Sequence, residues 1–264
     1  MSAAVLSESD GGIARLTFNR PERLNAIDTE MAEAFEAALD TALSNSATRV
    51  VLLTGAGRGF MAGGDVHGMK AAPDRAAFLR SVIDPMHRAI LRLAESPVLS
   101  IAAAQGPVAG AGLSLCLATD FLIAAQGARF EMAYARLGTT PDCGGTWALT
   151  RLVGPRRALQ MTLDGVALDA DEALRIGIAG RVVPDAELDA EVHALAERLV
   201  AGPREAQARG KVLIAAAAHV SLADQLDAEA TAFLACAATR DFDEGLDAFL
   251  ARRKPHFGQT GSPT

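Results

Sequence analysis

The chain has 264 residues, half of them hydrophobic, which is enough for one large domain with a sizeable core. Its 32 acidic and 25 basic side chains give a net charge of −7, and the basic residues form no dense cluster, which argues against nucleic acid as the main partner. No apolar run reaches about 18 uninterrupted residues and the N-terminus lacks the features of a secretory signal, so we expect no membrane partner. The three cysteines suggest reduced thiols in a cytoplasmic protein.

The first half of the chain alternates strand-like runs with helical patterns. Residues 13–19 alternate apolar and polar side chains, and Asp28 or Thr29 can cap a helix that reaches Leu43. Apolar runs then predict strands at 50–54, 98–104 and 120–125, with helices at 75–94 and 113–118. We expect the first of these helices to be interrupted at Pro85. This repeated order of strand, loop and helix indicates an α/β fold in which most strands pair in parallel.

Beyond Pro155 the pattern becomes helical and rich in alanine. Helices are predicted at 156–163, 170–176, 191–200, 204–218 and 222–238. We therefore divide the chain into a core, residues 1–188, and a helical C-terminal region, residues 189–264.

Two loops of small residues, 57–65 and 106–114, each follow a predicted strand. Small residues let a ligand approach the backbone closely, and free N–H groups at a helix N-terminus attract negative charge. Two such loops can place two N–H donors around one oxygen, which is how an oxyanion hole is built. Neither loop has the sequence of a nucleotide P-loop.

Five motifs occur in an order that resembles the crotonase superfamily of enoyl-CoA hydratases and isomerases, over nearly the whole chain: residues 20–26, 53–60, 62–65, 106–112 and 138–147. The resemblance implies a crotonase-like spiral of ββα repeats, assembled as a homotrimer or homohexamer through the helical C-terminal region. It also implies an acyl-CoA thioester as substrate, with coenzyme A as part of that substrate and no separate cofactor. The thioester oxygen would bind the N–H groups of Gly64 and Ala111.

The same resemblance nominates residues that contact coenzyme A. Six lie in the first and third motifs, one directly follows the third, and two lie in the C-terminal tail and would serve a neighbouring subunit: Arg23, Leu24, Ala26, Ala62, Gly64 and Asp65, then Val66, then Lys254 and Phe257. Two alternatives remain open. Asp65 can instead hydrogen-bond to loop N–H groups, and the tail can be a solvated basic segment.

The acid–base residues depart from the hydratase pattern. Hydratases of this superfamily use two glutamates, and the corresponding positions here hold Ser114 and Tyr134, which we place in the acyl pocket. Hydration needs one group to activate water and one to protonate carbon, so ordinary hydratase activity is not expected.

Asp142 occupies the position of a functional acid in the superfamily's isomerases, including those acting on the ring epoxide of phenylacetyl-CoA. One carboxylate suffices for isomerisation, because it can remove a proton at one carbon and return it at another. The alternative is that Asp142 caps the helix at Gly144. The aromatic-CoA dehalogenases use this position as a nucleophile, but they favour tryptophan where this chain has Tyr134.

The roles of two other side chains remain undecided from the sequence. His87 lies on the predicted helix that carries a catalytic histidine in the dehalogenases, although a surface or core position is the alternative. Glu131 is a possible second acid. The histidines show no paired spacing, so no metal is expected.

The sequence thus predicts an acyl-CoA enzyme that stabilises a thioester enolate, an isomerase that uses Asp142. The alternatives are a hydratase with altered acid–base residues and a catalytically silent CoA-binding protein.

Overall fold

A computed structural model describes residues 3–258, whose strands form two sheets. The larger sheet has the order β1-β2-β3-β4-β6-β9, with these bounds: β1 (Val5–Asp10), β2 (Ile13–Phe18), β3 (Val50–Gly55), β4 (Leu99–Ala104), β6 (Phe121–Ala125) and β9 (Arg181–Val183). β1 and β2 form an antiparallel hairpin, and the other neighbouring strands of this sheet pair in parallel. The predicted α/β class with mostly parallel pairing is confirmed.

The smaller sheet has the order β5-β7-β8 and consists of β5 (Pro107–Ala109), β7 (Arg129–Glu131) and β8 (Leu168–Asp169). Strands of two or three residues are too short to show an alternating pattern, so the sequence did not reveal them. β5 nevertheless matters for function because it directly precedes the helix at the second small-residue loop.

The helices are α1 (Thr29–Ser44), α2 (Val66–Ala71), α3 (Arg75–Glu95), α4 (Ala111–Leu117), α5 (Gly145–Leu163), α6 (Ala170–Arg175), α7 (Leu188–Val200), α8 (Arg204–Ala216), α9 (Leu222–Ala237) and α10 (Arg240–Leu250). The predicted interruption at Pro85 is wrong, because α3 is continuous and buries Pro85 and Met86. α3 packs against α1, and Met86 next to the proline belongs to the same buried core cluster as Phe35 and Leu39 of α1. The aspartate expected to cap α1 does so, since the Asp28 carboxylate accepts from the Met31 N–H at 2.9 Å.

β3 is buried on both faces, as its uninterrupted apolar sequence requires. Val51 and Leu53 belong to the core cluster that includes α1 and α3, whereas Val50 and Leu52 pack in the cluster that includes α7. β4 lies beside β3 in the same sheet. β3 and β4 are parallel, so the loops that follow them both begin at the same end of this buried pair of strands.

The C-terminal helices are far less buried than the sheet. α7 packs on the larger sheet through Leu188, Val192 and Ala196, whereas α8 and α9 contain no buried residue and α10 buries only Ala248. The division at residues 188 and 189 stays a prediction, and residues 259–264 lie outside the described range. Within residues 3–258 no helix is both long and apolar enough to cross a membrane.

Candidate active site

The two small-residue loops lie against each other at the edge of the sheet. The Met61 N–H donates to the Pro107 carbonyl at 3.3 Å, and the Ala109 N–H donates to the Met61 carbonyl at 2.9 Å. A Cβ added to Gly63 would lie 3.7 Å from the Ala111 nitrogen. Segments almost 50 residues apart in sequence therefore meet at backbone level.

Glycine at position 112 permits this close approach. A Cβ there would lie 2.3 Å from the Met61 carbonyl oxygen, which is a backbone atom and cannot rotate away. The first turn of α4 can therefore contact the neighbouring loop only because Gly112 has no side chain.

Two backbone N–H groups are available where the loops meet. The Gly64 N–H has no backbone acceptor within residues 3–258, because the bridge to Ile27 uses the Gly63 carbonyl and the Asp65 N–H instead. Ala111 is the first residue of α4, where N–H groups lack an intrahelical acceptor. A pair of such donors can bind one developing negative charge on oxygen.

Asn25 is a structural residue of this site that the sequence reasoning missed. Its buried side chain accepts from the Arg20 N–H at 2.9 Å and donates to the Gly59 and Phe60 carbonyls at 2.9 and 3.0 Å. It also donates to the Ala56 carbonyl at 3.0 Å. A single asparagine inside the motif at 20–26 was the available signal.

The predicted CoA-contacting residues of the first and third motifs lie side by side. The Ala62 N–H donates to the Leu24 carbonyl at 3.0 Å, and Asp65 follows the bridge between Ile27 and Gly64. The structure thus brings Arg23, Leu24, Ala26, Ala62, Gly64 and Asp65 together, with Val66 exposed at the start of α2.

The Asp65 carboxylate makes a structural hydrogen bond, as in its alternative role, but it caps the N-terminus of α2 and does not bond to a described loop N–H group. It accepts from the His67 N–H at 3.0 Å and lies 3.4 Å from Nη1 of Arg23. In the tail, Phe257 packs near Gly245 of α10 in its own chain, and Lys254 is exposed.

Asp142 is paired with His87. Nε2 of His87 lies 2.6 Å from Oδ1 of Asp142, and both side chains are partly exposed. The helix-cap alternative is wrong, because α5 begins after Gly144 and has no side-chain cap. Asp142 and His87 are 55 positions apart, so no spacing in the sequence indicated their contact.

Ser114 and Tyr134 hydrogen-bond to each other. The Ser114 hydroxyl lies 3.1 Å from the Tyr134 hydroxyl, which donates to the Asp142 backbone carbonyl at 3.3 Å. Burial raises the pKa of Tyr134 above its usual range, and burial together with adjacent Asp142 raises the pKa of Cys143 to about 12. The phenol and the thiol are therefore neutral at pH 7. Ser114 is one turn into α4, so this chain of bonds places the Asp142 loop beside the helix that Ala111 begins.

Comparison with known proteins agrees with this geometry. A profile of the family described as Enoyl-CoA hydratase/isomerase matches residues 8–260. The chain belongs to the enoyl-CoA hydratase/isomerase family. It is 38% identical over 262 residues to a 1,2-epoxyphenylacetyl-CoA isomerase of Escherichia coli K12, which covers 97% of this chain and 99% of the relative.

Two further members are similar over nearly their full length. A crotonyl-CoA hydratase of Syntrophomonas wolfei is 33% identical, with 96% of this chain and 97% of the relative covered. The crystal structure of an enoyl-CoA hydratase from Polaromonas sp. JS666 superimposes with a TM-score of 0.88 at 34% identity, covering 96% of this chain and 98% of that one. The crotonase fold is thereby confirmed, and an acyl-CoA substrate is consistent with the family.

Glu131 and the residues around the cavity beside α5 do not contribute to the Asp142 site. Glu131, the possible second acid, lies 2.7 Å from Nε of Arg136. A cavity of about 610 Å³ extends beside the C-terminal end of α4, α5 and β6, and none of the described residues that line it is a predicted site residue.

Cys143 completes a cluster with the acid pair. Its Sγ, one carboxylate oxygen of Asp142 and a ring nitrogen of His87 lie within 4.8 Å of one another. The spacing of the histidines gave no sign of this, because the cluster combines one histidine from α3 with two residues of a distant loop.

Proposed function

We propose that this family member is an enoyl-CoA isomerase, acting on a double bond or a ring, that uses Asp142 as its proton shuttle. One observation carries the proposal. The Asp142 carboxylate, held by His87 at 2.6 Å, adjoins a Ser114–Tyr134 pair that is neutral at pH 7. A single carboxylate beside an oxyanion hole suits proton transfer between two carbons.

In the proposed reaction the thioester oxygen accepts hydrogen bonds from the Gly64 and Ala111 N–H groups. These donors stabilise the enolate that forms when a proton leaves the substrate, each contributing about 10²–10³ in rate. Asp142 removes that proton and returns it to another carbon. His87 hydrogen-bonds to Oδ1 of Asp142, so the oxygen that faces the substrate would be Oδ2, which has only the weakly donating Cys143 thiol at 3.9 Å beside it.

Coenzyme A would lie along the paired segments that contain Leu24 and Ala62, where backbone groups and small residues allow close approach. Lys254 and Phe257 would contact coenzyme A of a neighbouring subunit in a homotrimer or homohexamer. No separate cofactor takes part in the proposed reaction.

The alternative is a hydratase with altered acid–base residues, which the similarity to a crotonyl-CoA hydratase favours. Against it, Ser114 and Tyr134 bond to each other and the pKa of Tyr134 is raised, so neither group readily activates water. A catalytically silent CoA-binding protein is a further alternative that the same experiment tests.

The experiment compares the wild type with Asp142→Asn on a panel of acyl-CoAs in D₂O. Asparagine preserves size and leaves the backbone donors intact, so we expect unchanged acyl-CoA affinity and a loss of about 10²–10⁴-fold in α-deuteration and isomerisation. Full activity of the variant contradicts the role of Asp142. Hydration of crotonyl-CoA with kcat on the order of 10–10³ s⁻¹ supports the hydratase instead. Binding without exchange or hydration in the wild type supports a silent protein.

A further inference from the structure

The cluster of His87, Asp142 and Cys143 combines three kinds of metal ligand. Nε2 of His87 lies 2.6 Å from Oδ1 of Asp142, and Sγ of Cys143 lies 3.9 Å from Oδ2 of Asp142. All three groups fall within 4.8 Å of one another. An imidazole, a carboxylate and a thiol together suit a cation of the zinc class, since hard cations such as Mg²⁺ prefer oxygen alone.

The distances allow a tetrahedral cation after small side-chain movements. Zinc–ligand bonds of about 2.0–2.3 Å separate neighbouring ligands by about 3.5 Å in a tetrahedron. Asp142 and Cys143 are already close to that separation, and the His87–Asp142 pair would open by about 1 Å. His87 and Asp142 are partly exposed, so a cation can enter between them from solvent.

We propose that His87, Asp142 and Cys143 bind one thiophilic divalent cation per chain. The cation replaces the hydrogen bond between His87 and Asp142. The imidazole then carries its proton on Nδ1, so that Nε2, the carboxylate and the sulfur each give the cation a lone pair. The thiol proton leaves to water, so the carboxylate and the thiolate together neutralise the double positive charge. The fourth position of the tetrahedron stays open to solvent.

Occupation of this site removes the Asp142 carboxylate from proton transfer. This consequence, unlike the binding itself, rests on the proposed function. We therefore expect Zn²⁺ to inhibit α-proton exchange and a chelator to restore it.

Cadmium is the direct probe of binding, because a cadmium–thiolate bond absorbs in the ultraviolet. We expect the full-length, chelator-treated protein to show this band with one Cd²⁺ per chain. Cys143→Ser should abolish the band, and His87→Gln should weaken Cd²⁺ binding at least as much as loss of an outer-shell partner, about 10–100-fold. Circular dichroism and thermal unfolding establish that each variant is folded.

Two variants elsewhere serve as matched controls. Cys236→Ser removes a thiol outside the cluster, and His193→Gln removes a surface histidine that lies 3.4 Å from Glu197. Both should bind Cd²⁺ like the wild type.

Absence of the band in the wild type, or its persistence in folded Cys143→Ser, overturns the cation site. Binding through the cluster without inhibition of exchange supports the site and contradicts the role of Asp142. Loss of activity in Asp142→Asn without cation binding in the wild type supports the role of Asp142 and contradicts the cation site. The two proposals can thus fail separately.

Discussion

Asn25 organises the first loop by hydrogen bonds alone. Its amide satisfies carbonyl groups on the segment that leads from β3 toward Gly64, and its own backbone has a left-handed φ of 57°. Asparagine is among the few residues other than glycine that adopt this conformation readily. One side chain thus fixes both the turn at 20–25 and the path of the loop.

We expect Asn25→Ala to lower the free energy of unfolding by about 1–3 kcal/mol, because it leaves buried carbonyl groups without a donor. Chemical denaturation measures the change. Asn45→Ala is the control, since Asn45 is exposed and its side chain accepts a local bond from the Ala47 N–H, and we expect a change within about 0.5 kcal/mol. Equal losses in the two variants would contradict the structural role of Asn25.

At the scale of elements, the contact between α4 and the loop after β3 depends on Gly112. Gly112→Ala places a methyl group against the Met61 carbonyl, and we expect it to cost about 1–3 kcal/mol and to reduce α-proton exchange. Gly210→Ala in α8 is the matched control, because an added Cβ there meets no described atom within 4 Å. The control should stabilise the helix by about 0.5–1 kcal/mol. An active, fully stable Gly112→Ala protein would refute the close contact.

A second contact between elements holds the C-terminal tail, which includes Arg253 and His256, against α10. The Glu244 carboxylate accepts from Arg253 at 2.6 and 2.7 Å and from the His256 N–H at 2.7 Å. The hydrogen bonds from Arg253, then from His256, lower the pKa of Glu244 from 4.5 to about 2. Because the folded-state pKa is the lower one, the stabilisation is complete above about pH 4.5 and is lost as the pH falls toward 2.

We therefore expect the tail to detach between about pH 4.5 and 2, and Glu244→Gln to detach it already at neutral pH. Hydrogen exchange at the His256 amide reports the change. Glu33→Gln, an exposed carboxylate on α1, should leave that amide protected. Protection of His256 in Glu244→Gln would show that the ion pair does not hold the tail.

The elements that could be predicted from the sequence are those marked by a pattern among neighbouring residues. β3 and β4 were predictable because buried parallel strands are uninterrupted apolar runs, and the loops after them were marked by small residues. α10 was not predicted, although Phe242, Leu246 and Phe249 recur in it at helical spacing, and that repeat was the available signal. The contact of His87 with Asp142 depends on how α3 packs, which no local pattern specifies.

At the scale of the molecule, the C-terminal helices expose large apolar side chains. Ile214 of α8 is 79% exposed and Phe249 of α10 is 82% exposed, and Phe233 and Leu234 of α9 are exposed as well. Large apolar side chains exposed on neighbouring helices are typical of an interface. A closed symmetric oligomer would bury it without leaving a free copy of the interface.

We expect light scattering to give the mass of a trimer or hexamer at micromolar concentration. Phe249→Asp should weaken assembly by placing a charge in the interface. Leu91→Asp, on the exposed face of α3, should leave it intact. A monomeric wild-type protein would contradict both the interface and the assignment of Lys254 and Phe257 to a neighbour's coenzyme A.

The meeting of two backbone segments at Gly64 and Ala111 has an evolutionary consequence. Main-chain amides survive almost every point mutation, whereas the acid–base group beside them is a single replaceable side chain on a loop. A lineage with this division can therefore retain substrate activation while its reaction changes by exchange of one or two loop residues. Within such a lineage, chemistry diverges sooner than architecture, so overall identity to a named relative is a weaker guide to the reaction than the residues at positions 114, 134 and 142.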